Sequence, residues 1–155
     1  MTTPRTQVLE ALRHYAVTYQ ESAHQLARQM DLPTVDGTAL GEVIWAEREG
    51  VPLSPARLSP RIGLTSGATN ALLNRLEAQG LVARSRESSD RRVVTLRATA
   101  LAHERIDPFL RRGAAALEVA LDEYDDAELE TVRGFLVRLA GVLPDASDGP
   151  ATTAS

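Results

Sequence analysis

The chain has no cysteine and no lysine, and aromatic residues make up only 4% of its 155 positions. Without cysteine there is no disulfide, no thiolate metal site and no thiol redox switch. Without lysine, all 17 basic residues are arginines. That usage is expected of a GC-rich bacterial genome rather than of so many bidentate sites. The scarcity of aromatics leaves packing to aliphatic side chains and alanine, which favour helices. No apolar run approaches the roughly 18 residues that suggest a membrane span. The opening MTTPRTQVLEAL lacks the apolar core of a signal peptide. A cytoplasmic protein of about one domain is expected. His14, His24 and His103 are too far apart for a short metal-ligand motif, so neither a metal nor a cofactor is expected.

What the chain does have is an uneven charge. The formal net charge is −4. Between Leu53 and Arg97, however, eight arginines (57, 61, 75, 84, 86, 91, 92 and 97) stand against Glu77, Glu87 and Asp90, a net of +5. Elsewhere nine arginines face eighteen acids, a net of −9. A basic island in an acidic body suits phosphate binding, which needs a local positive surface rather than a basic whole.

Hydrophobic spacing sets out the elements. Val8, Leu9, Leu12, Tyr15, Ala16, Tyr19, Ala23, Leu26 and Met30 form one stripe of a helix over 5–30, broken by Leu32-Pro33. A second helix is expected over about 36–49, with Asp36 or Thr34 as N-cap and Gly50 beyond its end. Ser54 caps a third, SPARLSPRIG, with Pro55 at its first position. Gly63-Leu64-Thr65 makes a turn, and Thr65 caps a fourth helix that stops at Gly80. Thr69, Leu72, Leu73 and Leu76 face inward on it; Ser66, Gly67, Asn70, Asn74 and Arg75 face outward. LVARSR and RVVTLR read as strands around a polar loop, ESSDR. A long helix follows over about 99–122, with Pro108 expected to kink it or start a new segment. Asp125 with Glu128 resembles a capping box opening a last helix, which carries Leu129, Val132, Phe135, Leu136 and Leu139 on one face. The small, polar stretch 143–155 reads as a disordered tail.

Helix, tight turn, helix and arginine-rich hairpin make a winged helix-turn-helix. The fold class is mainly α, a winged helix-turn-helix domain with N- and C-terminal dimerisation helices. A single domain is expected over 5–142, with the winged lobe at 36–97 and dimerisation helices at 5–30 and 99–142. The three outer stripes exceed what one small winged domain can cover, and mutual burial in a twofold dimer would cover them. Leu9, Leu12, Leu117, Leu129, Val132, Leu136 and Leu139 are the expected dimer contacts.

The segment GLTSGATNALLNRLEAQGLVARSRESSDRRVVTLRAT resembles the MarR family of bacterial transcription regulators. The likeness lies in the small-residue start of the recognition helix, the triplet Arg75-Leu76-Glu77, Gly80-Leu81-Val82, and Asp90-Arg91-Arg92 before a strand. It extends over about residues 5–142. The resemblance implies a twofold dimer on a pseudo-palindromic operator, released by a small ligand or an oxidant. It also implies that Arg92 is the wing-tip arginine that enters the minor groove. Two departures stand out. Ala71 occupies a position often basic in the family, and the missing cysteine excludes the oxidation-sensing branch.

Each outward residue has a physical reason to meet DNA. The helix start at Thr65, Ser66 and Gly67 offers free N–H groups and close backbone approach to phosphate. Asn70 is the candidate base reader, because an amide pairs bidentately with adenine; the alternative is a phosphate or water contact. Asn74 lies one turn further on. Arg75 either clamps a phosphate or pairs with an acid. Arg84, Arg86 and Arg91 suit phosphate contacts, and Asp90 suits orienting an arginine and shaping the loop. Arg57 and Arg61 either touch the backbone or solvate their helix. The bland alternative for the wing is a solvated charged hairpin.

A small-molecule effector would sit near Tyr15, Tyr19 and Trp45, with His14 or Arg48 supplying polarity; packing roles are the alternative for each. The GLTSG run is superficially similar to a nucleophile elbow, but its centre is threonine and no strand precedes it, so no enzyme is expected. The expected function is a sequence-specific DNA-binding transcription regulator, a ligand-responsive repressor that binds double-stranded DNA as a homodimer. The alternative is a winged-helix protein–protein module that no longer reads DNA. Ala71 lends that alternative slight support, and the basic island opposes it.

Overall fold

The computed structural model describes residues 3–87, 89–90 and 92–142. The elements run α1 (Pro4–Gln29), α2 (Thr34–Arg48), α3 (Pro55–Ile62), α4 (Ser66–Ala78), β1 (Val82–Ser85), β2 (Thr95–Ala98), α5 (Ala100–Leu121) and α6 (Asp126–Ala140). The chain forms two compact units, up to Pro108 and from Phe109 onward, which divide within α5.

Side-chain caps start α3, α4 and α6 at the expected Ser54, Thr65 and Asp125, and Thr3 also caps α1. Thr3, Ser54 and Thr65 accept from the N–H three residues on, each at 3.3 Å. Asp125 and Glu128 exchange reciprocal bonds of 2.9 Å, a complete capping box. Helix α2 departs from expectation. It begins at Thr34 after Pro33, with no side-chain cap, and Asp36 lies inside its first turn, fully buried. The reason is tertiary: the Asp36 carboxylate is used by a partner on α4. Strand β2 starts at Thr95 rather than Arg92, because Arg92 lies in a turn and the Val93 N–H is used by the Asp90 carbonyl (3.0 Å). Helix α5 continues through Pro108, although proline cannot donate to the carbonyl four residues back. The tail expected over 143–155 lies outside the described residues.

In the first unit, Leu40, Val43, Leu53, Leu58, Leu72, Leu73, Leu76, Leu81, Leu96 and Ile106 are fully buried. They come from α2, α3 and the segment before it, α4, the residue before β1, β2 and the start of α5, so one core holds the winged lobe together. The strands pair antiparallel, Val82 opposite Ala98 through Ser85 opposite Thr95. The Leu96 N–H donates to the Leu53 carbonyl at 2.8 Å, tying the segment before α3 to the wing's base. Thr99 anchors the start of α5: its hydroxyl donates to the Gly80 carbonyl (2.6 Å) and accepts from Ala102 N–H (3.2 Å).

Helix α1 meets this core through its C-terminal end alone, where Leu26, Ala27 and Met30 are buried. Val8, Leu9, Tyr15, Val17 and Tyr19 on its earlier turns are exposed. In the second unit no residue of α6 is buried, and Leu117, Val119, Val132, Phe135, Leu136 and Val137 are all exposed.

The approach of α1 to α2 depends on Gly37. A Cβ there would lie 2.5 Å from the Ala27 Cβ, too close for two methyl groups. Gly37→Ala should therefore destabilise the fold by about 1–3 kcal/mol. Gly41→Ala, on the same helix but with nothing within 4 Å, should be neutral or stabilising by up to about 1 kcal/mol. Chemical denaturation of both variants checks this. Equal stabilities would show that the helix spacing is not limited at Gly37.

Candidate nucleic-acid interface

The helix-turn-helix is held from within. Gly63 closes α3 in the left-handed region (φ 66°), a conformation glycine adopts without a Cβ clash. The Ser59 hydroxyl on α3 donates to the buried Thr69 hydroxyl on α4 at 2.8 Å. Together these set how α4 leaves the turn. Thr65, Ser66, Gly67, Ala68 and Asn70 are exposed at its start. Helix geometry leaves the Ser66 and Gly67 N–H groups without intrahelical acceptors. The space where a Gly67 side chain would stand is open.

Two arginines singled out for phosphate contacts are engaged inside the protein. Arg75 binds Asp36 with two bonds, Nε to Oδ2 at 3.0 Å and Nη2 to Oδ1 at 2.7 Å. Both carboxylate oxygens are thereby satisfied in a site with no exposure. The Asp36 hydrogen bond raises the Arg75 pKa, keeping the guanidinium charged. Of the two roles open to Arg75, the structure shows the pairing with an acid.

Arg84 on β1 reaches back across α4. Its guanidinium pairs with the Glu77 carboxylate, which also accepts the Arg84 backbone N–H at 3.2 Å. The same guanidinium donates to Asn74 Oδ1 at 3.0 Å and to Asn70 Oδ1 at 3.4 Å. Asn70, Asn74 and Glu77 thus form one polar row on α4, gathered by one arginine. Spacing placed the two asparagines on one face but did not reveal the arginine that joins them.

At the wing's base, Glu87 takes Arg97 Nε at 2.9 Å and Nη2 at 2.5 Å, and the Ser85 hydroxyl at 2.5 Å. These bonds, Arg97 first and Ser85 second, lower the Glu87 pKa from 4.5 to about 2. A lowered carboxyl pKa means that the pair's stabilisation is complete above about pH 4.5 and disappears as pH falls toward 2. At neutral pH the pair is formed. In the loop, Asp90 Oδ1 accepts the Arg92 backbone N–H at 3.0 Å, a loop-shaping contact. Arg61 pairs with Glu42 at 3.1 Å. Arg57, Arg86 and Arg92 are exposed, with no side-chain partner among the described residues. Arg91 lies outside those residues.

The expected effector residues fall into two exposed groupings. Tyr15 and Tyr19 stack on α1 with centroids 6.2 Å apart, and Arg48 lies over the Trp45 ring at 5.9 Å on α2. His14 is exposed on α1. Among the described residues, no group of three or more acid, histidine or cysteine side chains could hold a metal ion, and no helix is long and apolar enough to cross a membrane.

Two variants probe these pairs. Arg75→Ala strands a buried carboxylate and should lower the melting temperature by at least about 5 °C, whereas adding Asp36→Leu should recover part of the loss. An unchanged melt for the single variant would show that the pair is not a structural tie. Arg97→Ala should return the Glu87 titration, followed by carboxyl NMR, toward 4.5. A midpoint that stays near 2 would mean that Arg97 is not its cause.

Comparison with known proteins agrees with this geometry. The sequence model of the MarR family matches residues 30–93. An HTH-type transcriptional regulator of Bacillus subtilis, YcgE, is 29% identical over 97 residues, a match spanning 63% of each chain. Among solved structures, Staphylococcus aureus MepR in a DNA-binding conformation superposes with a TM-score of 0.67 at 18% identity, covering 88% of this chain and 98% of MepR. A MepR–DNA complex gives 0.61 at 17% identity, covering 92% and 98%. The transcriptional regulator Tm0710 of Thermotoga maritima gives 0.57 at 22% identity, covering 88% and 93%. These likenesses in three dimensions establish a shared winged-helix fold. Residues 30–93, from the end of α1 to the wing, match the sequence model of the MarR family.

Proposed function

We propose that this chain is a sequence-specific DNA-binding transcription regulator that works as a homodimer, with α4 in the major groove and the wing against the flanking minor groove. The observation that carries the reading is how the island's arginines are divided. Arg61, Arg75, Arg84 and Arg97 are paired with acids of the chain, while Arg57, Arg86 and Arg92 are exposed without such partners among the described residues. The exposed small-residue start of α4, with its unbonded N–H groups, adds a phosphate site. On this reading Arg86 contacts phosphate, Arg92 enters the groove, and Asp90 holds the loop that aims it. Arg75 and Arg84 brace the recognition helix through Asp36 and Glu77.

The homodimer is argued from the uncovered apolar residues of α1, the second half of α5 and α6. Leu9, Leu117, Val132 and Leu136 are exposed in the single chain and need a partner surface. Twofold pairing would set two copies of α4 roughly 34–36 Å apart, one turn of DNA. Such a protein would act in the bacterial cytoplasm, as a repressor, and needs no catalysis. An effector binding near Tyr15, Tyr19 and Trp45 would release DNA if it favoured a different spacing of the two lobes.

A mobility shift with DNA flanking the protein's own gene, repeated across salt concentrations, tests the reading. A discrete complex whose affinity falls steeply with salt is expected. A salt-insensitive or absent complex would favour a protein-binding role. Arg92→Ala should weaken operator binding about tenfold and leave the dimer intact by light scattering; full affinity would remove the wing from the mechanism. Leu136→Asp should abolish dimer and operator binding together. A monomer that still bound a full operator tightly would contradict the twofold arrangement.

A further inference from the structure

We infer that Arg84 fixes the side-chain amides of Asn70 and Asn74 so that the recognition helix presents hydrogen-bond donors to the groove and reads guanine or thymine on the contacted strand, not adenine. The inference rests on the DNA-binding reading above and names the base class that reading leaves open.

An asparagine amide has an acceptor end and a donor end, and free in water it turns either way. Arginine carries donors only. Whichever end of each amide faces Arg84 must therefore be the oxygen, and the distances agree: 3.0 Å to Asn74 Oδ1 and 3.4 Å to Asn70 Oδ1. The clamp cannot swing away cheaply. Glu77 holds the Arg84 guanidinium and, at 3.2 Å, the Arg84 backbone N–H. Arg84 is mostly covered (24% exposed), whereas Asn70 and Asn74 are exposed on α4. With the oxygens drawn to Arg84, the NH₂ ends face outward.

That orientation selects base edges. In the major groove guanine offers N7 and O6 and thymine offers O4, all acceptors. Cytosine offers only its exocyclic NH₂ there, and adenine sets an NH₂ beside its N7, so a donor-only amide meets one acceptor and a facing donor on adenine where guanine gives it two acceptors. The bidentate asparagine–adenine pair needs both ends of the amide turned to the base, and the clamp withholds one of them. The first expectation for Asn70, adenine, was drawn from the side chain alone. On this inference its neighbour Arg84 turns the amide away from that pairing.

Selection of bound duplexes from a random pool, with the full-length protein and three variants, tests the inference. Asn70→Ala identifies the base position under Asn70 as the one whose preference it erases. In the wild-type pool that position should hold guanine or thymine on the contacted strand. Arg84→Met releases the amide and should admit adenine there, relaxing the discrimination by about fivefold or more. Arg84→Lys keeps a cation beside Glu77 but lacks the forked donors, so it should relax the same position and serves if Arg84→Met does not fold. Adenine under Asn70 in the wild-type pool would overturn the inference, as would a folded Arg84 variant that selects the same base as wild type. A wild-type pool with no enriched duplex would instead overturn the DNA-binding reading, and this inference with it.

Discussion

A buried carboxylate is the constraint on which the winged lobe depends. Asp36 has no exposure, and an ionised group in that position is tolerable only when its oxygens are bonded. Arg75 supplies both bonds from the recognition helix. One residue further on, Gly37 brings the same turn of α2 against Ala27 of α1. Two adjacent residues thus tie α2 to α4 by charge and to α1 by close contact. The direction of α4 is set by this tie, by the Ser59–Thr69 bond and by the leucines beneath it, and is not a property of the helix alone.

The same logic governs the arginines. An arginine paired within the chain braces an element, and one left exposed is available to a partner. Glu77 holds Arg84 of β1 and Glu87 holds Arg97 of β2, so the hairpin leaves α4 with a defined direction. The pairs are partly exposed, so their effect lies in geometry more than in stability. The result is a surface with fewer outward cations than the count of arginines suggests, each placed by a neighbour that is itself fixed.

The remaining helices state a requirement of a different kind. The apolar residues of α1, late α5 and α6 repeat at helical spacing as core residues do, yet stay open to solvent in the single chain. Capping by Thr3 and Asp125 favours these helices locally, but most helix stability comes from packing of the apolar face. On the proposed reading, a second copy of the chain would supply that surface.

Much of this was legible in the residues. Caps at Ser54, Thr65 and Asp125, glycine stops at Gly63 and Gly80, and the leucines of α4 are signals between residues three or four apart, so the order and type of every described element could be read directly. The basic island and the outward position of Asn70 and Asn74 follow from composition and a period of 3.6. Pairings across the fold could not be read this way. The partner that holds Asp36 lies 39 residues away, and nothing local shows that Arg84 bends back onto Glu77. The sequence by itself determined which helices form, where they stop and where positive charge collects, because those follow from local hydrogen bonding and spacing. Only the tertiary structure decided which charges are used internally and which way an amide faces, because burial and charge pairing depend on what packing brings within about 3 Å.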